Sequence, residues 1–398
     1  MPNRAGNIVL ATYLLLFTAL VIGGQVYFWD IVPYVATTLL PEYGDAASVH
    51  SATYALLQQE LSSNAFTTLT TGNYAGDLFN NSEHFRSQLD LYLSKPLYVA
   101  ALRGLYLLGI NPLDGILLLS LLPAIGILVL LYLWLQRWLL PLHCVLIVIC
   151  FSYAARLLDI TQGLVHNNLS SFILLLASFC LLETRQLRLA LLLMCSSILI
   201  RTDNIIFVGL LQSVLCWQYY QRTGPQSRAA LHHCAAGLLV SVLTYLTISA
   251  LYDQQWWLLF YHTLIESQVD VAAFDTPFSL SLYFATVSQA IGTLFTPSAS
   301  IASVLPLFLL MLAITIPLSV WKDSLVAIVT AYRPLNLTDI ALLTLPVFLA
   351  YLILFPLVPA WDRFFTHFYA LTSVCIAQAV TRTRQTPEIT GRQGSRDH

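Results

Sequence analysis

Long apolar runs constrain this chain more than any other feature of its sequence. A helix that crosses a membrane needs about 20 apolar residues, within a range of about 17 to 25. Hydrophobic residues make up 58% of the 398 residues and charged residues only 10%, whereas a soluble domain carries about 25% charged residues. The sequence therefore predicts an all-α polytopic membrane protein.

About ten segments are predicted to cross the membrane. Seven of them are long enough without qualification, and three are shorter or interrupted. The first run exceeds the apolar region of about 7 to 15 residues that is typical of a signal peptide, so we interpret it as a retained anchor. The seven are residues 8–28, 116–135, 164–182, 230–251, 301–320, 340–357 and 364–380, and the three are residues 138–153, 187–200 and 205–220.

The distribution of basic residues predicts the orientation. Placing the N-terminus in the cytoplasm puts twelve of the 18 Lys and Arg residues on the inner side, as the positive-inside rule requires. Both termini are then cytoplasmic, and the polar stretch 381–398 is predicted to be a disordered tail. The twelve residues are Arg4, Arg137, Arg185, Arg188, Arg222, Arg228, Lys322, Arg333, Arg382, Arg384, Arg392 and Arg396.

Composition and spacing exclude several classes of function. The net charge is -2, so there is no basic surface for a nucleic acid. The seven cysteines lie in or beside apolar segments and none forms a CxxC pair, which argues against a disulfide framework and a zinc site. No repeat of fixed period is evident, which weakens the case for an inverted-repeat transporter.

The first outer loop, residues 29–95, is the longest polar stretch between apolar runs and the predicted place for chemistry. Within it, residues 45–61 have the pattern of an amphipathic helix that lies on the membrane surface. Residues 95–108 are too short to span and predict a second interfacial or half-inserted helix. A second outer loop covers residues 252–298, and residues 277–294 within it are predicted to lie flat.

Asp45 is the candidate general base of the first outer loop. It follows Gly44 at the predicted start of the interfacial helix. At that position an acid can cap free backbone N–H groups, or it can deprotonate an acceptor hydroxyl. Glu42 could assist it, hold a metal or remain solvated. His50 and His84 lack metal-ligand spacing with each other.

Basic residues on the outer side are scarce and therefore informative. Three of the six stand at the outer ends of different helices: Lys95, Arg201 and Arg363. Fixed cations that converge there could hold a lipid phosphate. Alternatively, each could extend separately towards lipid headgroups. The remaining three outer cations are Arg86, Arg103 and Arg156.

Two further polar groups interrupt the apolar runs. Arg201 and Asp203 stand between two short runs, where charges close to the membrane are usually paired and often functional. Asp159, His166 and Asn167 mark a helix entry, and either a structural or a substrate-shaping role fits them.

Two of these motifs near the start of the chain resemble the GT-C class of integral membrane glycosyltransferases. Gly44-Asp45, with Tyr54 after it, resembles the acidic motif that this class carries in its first outer loop. Residues 95–98, Lys-Pro-Leu-Tyr, resemble its basic-Pro-x-Tyr segment at the start of a short helix.

Two later motifs extend the resemblance, which covers residues 8–380 in hydropathy and motif order. Residues 199–203 resemble the Leu-x-Arg-Pro-Asp turn of the class, with Thr202 in place of proline. Residues 362–365, Asp-Arg-Phe-Phe, resemble its late Arg-Tyr element, with phenylalanine in place of tyrosine. The resemblance does not extend to the large soluble C-terminal domain of some members, and no such domain is expected from these residues.

The resemblance implies an enzyme that moves a sugar from a polyprenyl-phosphate donor to a hydroxyl of a glycan or lipid acceptor, on the periplasmic face of a bacterial inner membrane. Asp45 would act as the base of an inverting displacement. Many members carry a second acid where Ala46 follows Asp45, so no metal ligand is assigned and the need for a divalent cation stays open. Lys95, Arg201 and Arg363 would hold the donor phosphate, and the residues expected to shape the substrate site are Glu42, His50, Tyr54, Tyr98, Asp203 and Asp362.

Two alternatives from other classes stay open. A lipid-linked sugar transporter or flippase predicts cations along a path across the bilayer. A noncatalytic subunit of a cell-envelope assembly complex predicts a first outer loop that binds a partner without turnover.

Overall fold

The structure is a computed structural model that describes residues 3–222, 224–294 and 304–393. Within these residues every regular element is helical. The first half contains α1 Asn3–Gly23, α2 Ile31–Tyr43, α3 Ala46–Glu60, α4 Ser63–Thr70, α5 Asn73–Asn80, α6 Ser82–Leu93, α7 Pro96–Leu107, α8 Pro112–Leu135, α9 Pro141–Ala154, α10 Leu157–Gln162 and α11 Asn167–Leu182. The second half contains α12 Leu187–Ile200, α13 Ile205–Gln221, α14 Pro225–Leu251, α15 Trp256–Leu264, α16 Leu280–Leu294, α17 Leu305–Thr315, α18 Leu318–Thr330, α19 Leu337–Leu342, α20 Thr344–Leu354 and α21 Trp361–Gln393.

Among the described residues, five stretches are long and apolar enough to cross a membrane. They are Arg4–Gly23, Pro112–Leu135, Pro225–Leu251, Leu337–Leu354 and Trp361–Thr381. A sixth is present if α17 and α18 count as one span, although the two helices meet at an angle of 103°. This chain is therefore a helical membrane protein, and the expected number of ten spans is not reached by helix length and composition.

Several predicted crossings are too short to qualify. The apolar helices α9 and α12 have 14 residues each and α11 has 16, or about 21 to 24 Å at 1.5 Å per residue. The hydrocarbon core of a bilayer is about 30 Å thick. Residues 301–303, where another crossing was predicted to begin, lie outside the described residues, and the rest of that segment bends after α17 because Pro317 follows it.

The first outer loop is folded along most of its length. Residues 29–95 form the five helices α2 to α6. The predicted interfacial helix corresponds to α3, and the predicted short helices at residues 95–108 and 277–294 correspond to α7 and α16. The buried helix α2 was not predicted. It turns into α3 at Gly44, whose φ of +74° is a conformation that glycine adopts readily.

Two apolar cores hold the helices together. One contains buried residues of α1, α8 to α14, α16, α17 and α19 to α21. The other joins α2, α3 and α6 to α7, with Ile116 of α8 and Ile200 of α12 at its edge. The first outer loop is thus packed against the bundle by its own core, which fixes its polar residues relative to the ends of the longer helices.

The last helix extends beyond its apolar part. The helix α21 continues to Gln393, so residues 381–393 are helical where a disordered tail was predicted from composition. Residues 394–398 lie outside the described residues.

Candidate functional site

A polar cavity of about 240 Å³ lies where the second core meets the ends of α11, α12 and α21. Its wall takes residues from the segments before α2, α7 and α11, from the ends of α6 and α12, and from α15 and α21. Five residues with charged side chains, from four separate parts of the chain, line it. They are Asp30, Lys95, Arg201, Asp203 and Arg363, and His166 and Asn167 are among the other polar residues of the wall.

Lys95 is the cation of this cavity that lacks a carboxylate partner among the described residues. It precedes Pro96, which begins α7, and its Nζ lies 4.6 Å from the ring centre of Tyr92 and 5.3 Å from that of Tyr34. Burial lowers the pKa of the Lys95 ammonium from 10.5 to about 8, although the charges of Asp30 and Asp203 act in the opposite direction. The ammonium is therefore held by aromatic rings and can accept an anion.

Arg201 is fixed by a paired carboxylate. The residue ends α12 and is only 3% exposed. Its Nε donates to Asp203 Oδ1 at 3.1 Å and its Nη2 donates to Asp203 Oδ2. The hydroxyl of Tyr351 also donates to Asp203 Oδ2, at 2.6 Å. Because both partners of this fork-like pair are held, the guanidinium has a defined orientation at the cavity.

Arg363 and Asp30 form the opposite wall. Arg363 Nη1 lies 3.9 Å from Asp30 Oδ2, and the buried Nε of Arg363 has no hydrogen-bond partner among the described residues. Asp30 Oδ1 accepts a hydrogen bond of 2.7 Å from Tyr92. The ring of Phe364 lies between the two guanidinium groups, 4.3 Å from Cζ of Arg201 and 5.4 Å from Cζ of Arg363.

Two neutral polar side chains stand at the entry of α11. His166 Nδ1 is 2.9 Å from the Tyr34 hydroxyl. Asn167 is 1% exposed, yet neither its amide nitrogen nor its amide oxygen has a hydrogen-bond partner among the described residues. A buried amide without partners costs free energy, so a polar ligand in the cavity would satisfy a group that the protein leaves unpaired.

A second cavity, of about 290 Å³, shares Arg363 with the first. Phe28 and Gly163 contribute to its wall, with Arg156, Asp159 and Asp362 as its other charged residues. Arg156 lies 3.4 Å from each of the two carboxylates. The two cavities therefore meet at Arg363. The segment before α2 also contributes to both, with Asp30 in the first cavity and Phe28 in the second.

The second outer loop covers the first cavity. Leu259, Phe260 and Leu264 of α15 line it. The segment after α15 is attached to α6, where the fully buried Gln88 donates to the carbonyl oxygens of Gln268 and Val269 at 2.9 Å each. We call α15 and the segment that follows it the covering segment. It contributes apolar residues to the cavity wall.

Asp45 lies outside both cavity walls. Its exposed carboxylate accepts a hydrogen bond of 2.9 Å from the backbone N–H of Ser48 and caps α3. The hydrogen bonds from Ser48 lower the pKa of the Asp45 carboxyl. The geometry matches the capping interpretation, and the carboxylates that reach the cations of the first cavity are Asp30 and Asp203.

Most residues expected to shape the substrate site are spread over other parts of the structure. Glu42 pairs with Arg103 at 3.1 Å, and His50 packs against the ring of Tyr54. Of the six, Asp203 alone lines the first cavity, whereas Asp362 lines the second. Tyr98 lies behind the first cavity, with its ring against Tyr34 and His166.

Asp30 was not singled out by its sequence, although a signal was present. It is the first acid after the first apolar run, where a carboxylate is held close to the membrane. Its side chain caps no helix although it directly precedes α2, so the carboxylate is available to Tyr92 and Arg363.

The site offers little to a divalent cation. No group of three or more His, Cys, Asp or Glu side chains with metal-binding geometry occurs in the part of the chain that the structure describes. Asp30 and Asp203, the carboxylates of the first cavity, already face Arg363 and Arg201. This donor set does not fit a metal, and the arrangement is suited to an anion.

No family model matches the chain, and the searches of curated proteins and of solved structures gave no match either.

Proposed function

We propose that this protein is an integral membrane glycosyltransferase that uses a prenyl-phosphate-linked sugar as donor and a hydroxyl group as acceptor. The observation that carries the proposal is the first cavity, where three cations and two carboxylates leave one net positive charge. Lys95 is unpaired there, and the amide of Asn167 lacks a partner. These groups suit a single phosphate.

The charge of the cavity matches that of the donor. A sugar-linked prenyl phosphate is a diester with one negative charge, and Lys95 would balance that charge. The amide of Asn167 would donate to an oxygen of the phosphate. Arg201 is already paired with Asp203 and would orient the phosphate through its remaining N–H donors.

Asp30 is the base in this proposal, in place of Asp45. The acceptor would approach through the second cavity, which adjoins the first at Arg363. The acceptor oxygen forms a bond to the anomeric carbon, its proton passes to Asp30, and the bond from that carbon to the phosphate oxygen breaks. Attack opposite the leaving group inverts the configuration.

The cations would stabilise the leaving group. The diester carries one negative charge, whereas the prenyl phosphate that leaves is a monoester and gains a second charge as the bond breaks. Lys95 and Arg363 are placed to meet that developing charge, which is the kind of interaction that lowers a barrier. The covering segment from the second outer loop would exclude water, so that transfer is favoured over hydrolysis.

Topology and location belong to the same proposal. We keep about ten crossings, because α9, α11, α12 and α13 pack beside the longer helices and local thinning of a bilayer can accommodate shorter ones. Cytoplasmic termini and a bacterial inner membrane follow from the charge distribution and from the resemblance. The acceptor would then be a glycan or lipid on the periplasmic side.

The two alternatives make different demands on the same residues. A transporter needs polar groups along a path between the membrane surfaces, whereas Lys95, Arg201 and Arg363 meet at one cavity. A noncatalytic subunit would bind the donor and release no prenyl phosphate. Turnover by the purified protein separates the enzyme from both alternatives.

The test compares Asp30→Asn with Asp45→Asn in purified full-length protein. The substrates are radiolabelled prenyl-phosphate-linked hexoses and pentoses together with a hydroxyl-bearing glycolipid acceptor, and the readout is release of prenyl phosphate. We expect Asp30→Asn to lower turnover by about 10²- to 10⁴-fold, the usual contribution of a general base. Asp45→Asn should retain most activity, because its carboxylate caps an exposed helix.

The outcome against the proposal is equally definite. Full turnover by a folded Asp30→Asn protein, with loss in Asp45→Asn, would return the role of base to Asp45. Asp30→Glu keeps the carboxylate and displaces it by one methylene, so partial activity in that variant would separate a role in chemistry from a role in folding. If the wild-type protein turns over none of these donors, the glycosyltransferase proposal fails.

A further inference from the structure

Two neighbouring depressions lie at the other end of α12 and α13 and share two residues, Arg185 and Leu187. The smaller has a volume of about 80 Å³ and includes Arg222, Gln218 and Tyr219 in its wall. The larger is an open depression of about 550 Å³ whose wall includes Arg188 and His233. Neither wall contains a carboxylate.

These depressions are far from the polar cavity. The helix α12 runs for 14 residues from Leu187, and Arg201 follows it at the cavity. The helix α13 then returns over 17 residues, and Arg222 follows its end. At 1.5 Å per residue the two helices are about 21 and 25 Å long. The depressions therefore belong to the opposite end of the helical bundle, and the proposed transfer reaction makes no use of them.

The guanidinium groups that line the two depressions are not neutralised. Within the described residues, Arg185, Arg188 and Arg222 form no ion pair with a carboxylate. Arg188 donates to His233 at 2.7 Å, and Arg222 donates to Gln218 at 3.3 Å. The positive charge of the cluster therefore stays available to a ligand.

The nearest acid along the chain is already engaged. Glu183 accepts a hydrogen bond of 2.8 Å from the indole of Trp134 and pairs with Arg137. It leaves Arg185 two residues further on without a partner. Arg185 also has a φ of 59°, an uncommon backbone conformation for a residue other than glycine, and this turn places its side chain in the wall of both depressions.

The surroundings indicate a lipid as the source of the anion. Leucine side chains complete the smaller wall, and α14, which is long enough to span a membrane, begins at Pro225 just after this end of α13. Trp217 and Tyr220 are exposed and stacked on each other, with ring centres 6.2 Å apart. Exposed Trp and Tyr at helix ends are typical of the membrane interface.

We infer that Arg185 and Arg222 bind the headgroup phosphate of an anionic phospholipid in the smaller depression. Arginine suits this role because its planar N–H groups match two phosphate oxygens at once. The apolar part of the wall would contact the start of an acyl chain, and Arg188 would attract the rest of the headgroup from the larger depression. Basic residues at the membrane surface attract anionic lipids in general, whereas this site requires two particular arginines.

Lipid binding to the full-length protein tests the inference. The probe is phosphatidylglycerol, compared with phosphatidylcholine, and the readout is occupancy of the detergent-purified protein in native mass spectrometry. We expect the double variant Arg185→Gln/Arg222→Gln to bind phosphatidylglycerol at least about tenfold more weakly, because it loses two guanidinium groups that would donate charged hydrogen bonds to the phosphate.

Arg4→Gln is the matched control. Arg4 is exposed and lines neither depression. It lies at the same end of the molecule, as shown by Asn7 of the same helix, which accepts a hydrogen bond from Tyr132 near the end of α8. We expect a change of less than about twofold, since removal of one distant charge affects only the general attraction. Equal weakening in control and double variant would overturn the site.

Two further arms complete the test. Displacement of the lipid by millimolar inorganic phosphate would show that the site takes a soluble anion and would overturn the lipid assignment. If the double variant does not fold, Arg185→Lys/Arg222→Lys keeps both charges but loses the paired N–H geometry. Weaker binding in that folded variant supports the site, and unchanged binding contradicts it.

Discussion

The two ends of the α12–α13 pair use arginine in different ways. At the cavity end Arg201 is 3% exposed and held by Asp203, whereas at the other end Arg185 and Arg188 are exposed and have no carboxylate partner among the described residues. A buried guanidinium without a partner is very costly, which explains why the buried Arg201 is paired. The difference teaches that the cavity end fixes the position of its charges, whereas the opposite end leaves its charges free to meet a headgroup.

The strongest way to break this comparison is to remove one arginine from each end. Arg201→Ala leaves the partly buried Asp203 beside the cavity without its cation and should lower the free energy of unfolding by about 3 kcal/mol, the lower end of the loss when a buried pair is broken. Arg188→Ala removes an exposed side chain and should change it by less than about 0.5 kcal/mol. Denaturant unfolding in detergent measures both values.

The result that contradicts the comparison is a similar loss in the two variants. In that case the burial of an arginine would not determine how much it contributes to the free energy of unfolding. Asp203→Asn offers a check on the cavity end alone, because it keeps the shape of the side chain and removes the charge. A loss comparable with that of Arg201→Ala would assign the effect to the pair.

A pH titration sharpens the comparison through Lys95. The pKa of its ammonium is lowered to about 8 by burial, so the free site loses its unpaired cation as the pH rises through 8. Donor affinity should be constant below about pH 7 and should fall by up to about tenfold per unit above pH 8. Lipid binding at the opposite end should not change over this range, because guanidinium groups stay protonated.

Lys95→Arg is the matched variant for this titration. A guanidinium keeps its charge to well above pH 10, so the fall in donor affinity near pH 8 should disappear, even if the affinity itself is lower. Donor dissociation constants between pH 6.5 and 9.5 provide the measurement. The same fall in Lys95→Arg as in the wild-type protein would assign the titration to another group.

The cations of the first cavity could be predicted from the sequence. Lys95, Arg201 and Arg363 were singled out because each stands at the end of an apolar run, and in the structure all three line the first cavity. Helix ends can be read from sequence because caps, prolines and charges mark them. The residues that pack against a helix end are not marked in the same way, since they depend on long-range packing.

Sequence reasoning did not reach Asp30 or the correct helix lengths. Asp45 had the signals of a functional acid, namely a preceding glycine and an amphipathic helix, but those signals describe a cap equally well. Asp30 came to the cavity because α2 packs into the second core, and that packing has no signature in a single sequence. The count of ten crossings is not confirmed by helix length and composition, because apolar runs do not specify where a helix bends or ends.

The comparison can be narrowed to two adjacent residues of α11. Asn167 faces the first cavity with no hydrogen-bond partner, whereas the amide of Asn168 donates to the side chain of Thr161 at 2.9 Å and to the carbonyl oxygen of Ser120 at 3.1 Å. Asn167→Ala should therefore weaken donor binding by about tenfold, the contribution of one hydrogen bond to a charged group, with little loss of stability.

Asn168→Ala should do the reverse. It removes donors to two buried groups and should lower the free energy of unfolding by about 1 to 3 kcal/mol, while the donor affinity of the folded fraction stays within about twofold of the wild-type value. Equilibrium binding of the donor together with denaturant unfolding of both variants separates the two roles. If Asn167→Ala lost stability and kept its affinity, the unpaired amide would serve the fold instead of the ligand, because its partner would then be a group of the protein or a buried water.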